Sequence, residues 1–147
     1  MKTRTIIWTI CFIALIAWTG FAFAQASKPA AMKTVKLAND DEVCDLTGEW
    51  NAQIENYGEW AKFGSYPNAF KIVLEGSSFI GTRLQDNGPG RRVGSLVFVC
   101  GLDKSGFKNV FLITGGGPFP CKGQISEDGN KILIDLENKA KLTMTRK

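Results

Sequence analysis

The sequence predicts an all-β chain, an eight-stranded antiparallel up-and-down barrel, on three observations. From residue 44 onward, short runs rich in β-branched and aromatic residues alternate with clusters of Gly, Asn, Asp and Pro every 8 to 15 residues, the rhythm of strands joined by turns. Several runs alternate apolar and polar with period two, so one face is buried and the other wet. No stretch beyond residue 24 holds an apolar helical period of adequate length.

Eight strands are expected, at 47–56, 69–75, 78–84, 93–100, 108–114, 121–126, 131–137 and 140–146. In the first, Trp50, Ala52 and Ile54 share one face while Glu49, Asn51, Gln53 and Glu55 share the other. Phe70, Ile72 and Leu74 repeat the pattern in the second, Ile132, Ile134 and Leu136 in the seventh, and Ala140, Leu142 and Met144 in the eighth. The fourth and fifth carry apolar residues on both faces: Leu96 to Val99, then Val110 to Ile113. A barrel strand with a wet outer face should not read this way. Its outer side needs a cover, either a loop, the N-terminal tether or a second copy of the chain, so the outer face of 93–100 and 108–114 is a candidate homodimer surface.

Gly76-Ser77, Asp128-Gly129 and Asn138-Lys139 have hairpin length, and Asp-Gly is the strongest turn signal among them. Closing such a meander removes the edge strands. With strand direction alternating, the long connections 57–68, 85–92 and 115–120 gather at one rim. The shorter ones gather at the other, giving an open end and a tied-off end.

Ahead of the barrel, Lys2 and Arg4 precede an apolar run from Ile6 to Ala24 that ends in Ala22-Phe23-Ala24. This order of charged, apolar and small-x-small segments reads as a secretory signal, residues 1–24. An uncleaved anchor over residues 6–24 is the alternative, because the run approaches the roughly 20 residues that span a bilayer. The expected location is therefore extracytoplasmic, periplasmic or secreted. Residues 25–43 are polar, contain Pro29 and read as a flexible tether, which leaves 44–147 as the barrel domain.

Composition narrows the chemistry. Loss of Lys2 and Arg4 lowers the net charge from +4 to +2, too weak a bias for nucleic acid without a clustered basic patch. The chain has no histidine, which removes His-containing zinc sites and the Ser-His-Asp and Cys-His catalytic sets. No pair of carboxylates stands out as acid and base, so neither an enzyme nor a cofactor is expected. Cys44, Cys100 and Cys121 remain after cleavage, and an exporting compartment favours pairing two of them. In the meander Cys44 and Cys100 fall near the tied-off end, and Cys121 roughly 20 Å away at the opposite rim, so Cys44–Cys100 is the expected bridge.

Gly48-Glu49-Trp50 matches the Gly-x-Trp motif that opens the first strand of lipocalins, fatty-acid-binding proteins and avidins, and the chain resembles this calycin-like group. The resemblance implies that an Arg near the end of the closing strand stacks over the Trp. Arg146 follows the inward positions of the eighth strand and takes that place; Trp50 and Arg146 are read as structural. Cys44 to Trp50 looks like an avidin opening, yet no Trp follows Trp60 to box a biotin. The resemblance also makes the first long connection a lid. There Trp60, Phe63 and Tyr66 cap a pocket for an apolar or flat ligand, with Arg91 and Arg92 on the same rim meeting an acidic group. The opposing reading has the same rings fold inward and plug a small barrel. A further alternative is a protein-binding inhibitor resembling bacterial protease inhibitors, acting through its rim or its N-terminal arm. A lysozyme-inhibitor-like barrel is less favoured, since the Ser-Gly-x-x-Tyr pattern is missing.

Overall fold

The computed structural model describes residues 32–88 and 91–147, so the expected signal, 1–24, and the first part of the expected tether lie outside the described residues. Strands dominate it: β1 (Thr34–Lys36), β2 (Glu42–Cys44), β3 (Gly48–Asn56), β4 (Tyr66–Glu75), β5 (Ser78–Arg83), β6 (Leu96–Asp103), β7 (Gly106–Thr114), β8 (Gly117–Pro120), β9 (Lys122–Ile125), β10 (Lys131–Leu136) and β11 (Ala140–Arg146). β1 and β2 pair with each other, and the other nine form one antiparallel sheet in the order β8-β7-β6-β5-β4-β3-β11-β10-β9. Consecutive strands are neighbours throughout except that β3 sits beside β11 and the run breaks between β8 and β9. The sheet curls into a nearly closed barrel in which β9 packs against β7.

The sheet counts nine strands where eight are expected, because the sixth is a single bent run that changes partner. Its first half, β8, pairs with β7 from Thr114↔Gly117 to Phe111↔Pro120. Its second half, β9, pairs with β10 from Asp135↔Lys122 to Ile132↔Ile125. Pro118 and Pro120 have no N–H to give a ladder, so they suit a short edge segment. At the bend, the Cys121 N–H still donates to the Val110 carbonyl at 2.9 Å. The prolines and three glycines at 115–120 read as a turn, which hid β8 and placed Cys121 at the rim. The 20 Å separation is thereby corrected. Val110 pairs with Cys100 across β6 and β7, so Cys121 lies two strands from Cys100, about 10 Å.

Two further boundaries move. β4 begins at Tyr66, three residues earlier than expected, and Tyr66 pairs with Ile54, so it is a wall residue and not part of the lid loop. Residues 34–43, expected within the flexible tether, form with Cys44 the β1–β2 hairpin, with Leu37, Val43 and Cys44 buried in the barrel's core cluster. The three described cysteines are free, and the Cys44–Cys100 bridge is not formed. Burial pushes the Cys100 thiol up to about 12, and raises Cys44 against the opposing pull of Arg146.

The inward face follows the alternation read from sequence: Trp50, Ala52 and Ile54 on β3, Phe70 and Ile72 on β4, Ile132 and Ile134 on β10, and Leu142 and Met144 on β11 are all buried. Gly81 on β5 leaves room for the Phe98 ring; a Cβ there would lie 2.1 Å from Phe98 Cε1. On the outside, Val73, Ile80, Val99, Phe111 and Pro120 form one cross-strand row over five strands, which accounts for the two-faced apolar pattern of β6 and β7. A register break between Gly81 and Thr82 leaves Val97 as an extra, buried residue.

Trp50 and Arg146 pair across β3 and β11 at the tied-off end. The Arg146 guanidinium carbon stands 4.5 Å from the centre of the Trp50 ring. Its nitrogens donate to the carbonyls of Thr47 at 2.7 Å, of Gly129 at 3.4 Å and of Asp45. The indole N–H of Trp50 donates to the Leu46 carbonyl at 2.9 Å. Main-chain carbonyls that have no strand partner are satisfied by this one side chain, so the end is closed by hydrogen bonds as well as by packing.

Candidate functional site

The open end holds a cavity of about 530 Å³, within the range of small-molecule sites. Its apolar wall comes from Ile54, Leu112, Ile134, Leu136 and Leu142, at the open-end halves of β3, β7, β10 and β11. These walls are aliphatic, with Ala140 the smallest of the β11 side chains among them, whereas the large rings of Trp50, Phe70, Phe79 and Phe98 are fully buried in the core.

Trp60, Phe63 and Tyr66 all line this cavity. Trp60 and Phe63 stand on a 3₁₀ turn, Gly58–Phe63, which lies across the mouth. Trp60 meets Phe63 edge to face at 6.5 Å and Phe119 of β8 at 5.8 Å, so the turn from one side of the barrel touches a strand well round the rim. Phe63 is 50% exposed.

The turn is moored at its start. Gly58 takes φ +52, and a Cβ on it would fall 2.2 Å from the Asn138 carbonyl oxygen, so only glycine permits this close approach to the β10–β11 turn. The Tyr57 N–H donates to the Lys139 carbonyl at 2.9 Å, and the Tyr57 hydroxyl donates to Asp135 at 2.7 Å. That carboxylate contact pushes the Tyr57 phenol above its ordinary value. Glu59 and Lys139 are 2.9 Å apart. The far end of the turn, Gly64 with φ +64, has open space around it.

The two rim arginines part company. Arg91 lines the cavity with its guanidinium carbon 4.7 Å from the Tyr66 ring centre. Arg92 is exposed and contributes nothing to the cavity wall; its carbonyl accepts from the Ser95 hydroxyl.

Sequence reasoning missed the most unusual residue of the site. Arg83, the last residue of β5, is buried with 9% of its surface exposed and lines the cavity. Its guanidinium carbon stands 5.9 Å from the Phe70 ring centre, and Nη1 has no hydrogen-bond partner. Asn68, facing inward on β4, is likewise buried with Nδ2 unpartnered. The signal was present: Phe79, Gly81 and Arg83 alternate, so an inward Phe79 makes Arg83 inward too. Among the described residues, no carboxylate pairs with Arg83, and no group of His, Cys, Asp and Glu is placed to hold a metal ion. No helix in those residues is long and apolar enough to cross a membrane. Comparison with family models, curated proteins and solved structures finds no match to this chain.

Proposed function

We propose that this chain is an exported, non-enzymatic barrel that holds an apolar or flat small ligand at its open rim. The observation that carries the reading is the 530 Å³ cavity lined by Trp60, Phe63 and Tyr66. Rings that served only as a plug would occupy this space; here they border it. An apolar ligand entering would remove wall area from water at about 25 cal/mol per Å². The inhibitor reading, in which an N-terminal arm inserts into a partner, has less support, because residues 34–43 of that arm already pair and pack into the chain's own tied-off end.

The test uses N-phenyl-1-naphthylamine, a flat uncharged fluorophore that brightens in apolar surroundings. Saturable binding to the purified mature chain is expected, and Ala140→Phe, which adds a ring to the cavity wall, should abolish it. Absence of saturable binding would overturn the proposal, and so would binding that Ala140→Phe leaves unchanged in a folded protein.

A further inference from the structure

The cavity is lopsided in charge. Among the described residues its only charged lining side chains are Arg83 and Arg91, and no carboxylate lines it. Arg83 ends β5, Arg91 belongs to the loop that follows, and Tyr66 beneath Arg91 lies on β4. Both guanidinium groups therefore stand on the β4–β5 side. The opposite side, from Leu112 round to Leu142, is uncharged and mostly aliphatic, with Thr114 at its edge.

A buried guanidinium with an unused N–H is an expensive arrangement, since arginine keeps its charge at any ordinary pH and gains nothing from burial without an acceptor. Its contact with the Phe70 ring at 5.9 Å offsets part of that cost, but a ring face accepts no conventional hydrogen bond. The second orphaned donor, Asn68 Nδ2, lies on the same inner face one diagonal cross-strand step away, because Phe70, two residues on from Asn68, pairs with Arg83. Of these two donors Arg83 lines the cavity and Asn68 does not, so Arg83 Nη1 is the one that lacks an acceptor at the site.

Building on the pocket reading above, we propose that the occupant is an amphiphile with a single anionic head, whose oxygens pair with Arg83 at the β4–β5 wall while its apolar or flat body lies against Leu112, Ile134 and Leu142. Arg91 stands at the mouth, where it attracts the head on entry. Arg83 is then the residue that selects anionic over neutral ligands.

The experiment compares two probes that share one ring system and differ by a sulfonate group, N-phenyl-1-naphthylamine and 8-anilinonaphthalene-1-sulfonate, titrated into the wild-type chain and into Arg83→Met. Met keeps the unbranched stem without the charge, and removing an unpaired buried charge should raise the melting temperature, a readout that needs no ligand. The sulfonate should lose about tenfold or more in affinity on Arg83→Met, the scale of one hydrogen bond to a charged group. The neutral probe should hold its affinity within about twofold. Arg83→Gln, which keeps donors without charge, serves the same comparison should the Met variant fail to fold. Equal changes for both probes, or a sulfonate affinity unmoved by either variant, would overturn the assignment to Arg83 while leaving the pocket intact. Failure of both probes to bind the wild-type chain would remove the pocket reading itself.

Discussion

Trp60→Ala separates a lid from a plug. The indole is half-buried and makes two edge-to-face contacts, with Phe119 at 5.8 Å and Phe63 at 6.5 Å. Such pairs contribute about 0.5–1.5 kcal/mol each beyond area burial. Phe63 is itself half-exposed, so its contact lies at the low end. The expected cost is about 1–2 kcal/mol, read as a lowered urea midpoint at unchanged slope. A ring enclosed on all sides would cost about 3–5 kcal/mol. Loss of the lid removes one face of the ligand's enclosure, and the affinity for N-phenyl-1-naphthylamine should fall about tenfold, mostly through faster dissociation. A stability loss above about 3 kcal/mol with probe affinity unchanged would refute the reasoning and identify the ring as core. A variant equal to wild type in both measurements would show that the 3₁₀ turn has no part in the site.

Gly58→Ala forces a Cβ against the Asn138 carbonyl at φ +52; the turn must shift, and probe dissociation should quicken with a stability cost of about 1–2 kcal/mol. Gly81→Ala drives a methyl into the Phe98 ring and should destabilise by about 1–3 kcal/mol, measured by thermal melting, with hydrogen exchange rising in β5 and β6. Arg146→Met strips the partners from three main-chain carbonyls and the cation–π contact with Trp50; a loss of about 2–4 kcal/mol in urea unfolding is expected with probe affinity little changed. The Cys100 thiol, held up to about 12 by burial, stays protonated in the folded chain while the unfolded chain ionises near 9. Its contribution is therefore whole below pH 9 and drains away as pH rises toward 12, at up to about 1.4 kcal/mol per unit. Cys100→Ala should be flatter than wild type over that window; parallel curves would contradict the assignment.

The alternation in Trp50-Ala52-Ile54 and in Ile132-Ile134-Leu136 was enough to read the barrel wall, since period two leaves no other face for these side chains. Strand limits were harder where two signals conflicted. In β8, Pro118 and Pro120 beside three glycines argue for a turn, and only the unclaimed hydrogen-bonding edge of β7 makes them a strand. At β4 the Pro67 next to Tyr66 argued for a loop, although a proline near the start of a strand is tolerated. The hairpin over 34–44 has no sustained alternation, being interrupted by Asn39-Asp40-Asp41, and packs by burying Leu37 and Val43 in the core. For the site, the aromatics of the first connection were visible by composition. Arg83 was not, because a charged residue is assumed to face water, and whether it has a counterion depends on strands far away in the chain.

The placement of β3 beside β11 has a consequence for when the chain can fold. Hairpins such as β4–β5 and β10–β11 join residues close in sequence and can form early. The contacts of Arg146 with Thr47 and Asp45 join residues 99 and 101 positions apart, and closing a loop of that length is deferred until most other pairings exist. A nascent chain in which β11 is still unmade presents the bare edge of β3 and an uncovered Trp50, a template for pairing with a neighbouring chain. The step that completes the molecule is also the one that retires this hazard, so slow synthesis or slow release of the last strand should raise aggregation more than any substitution at the open rim.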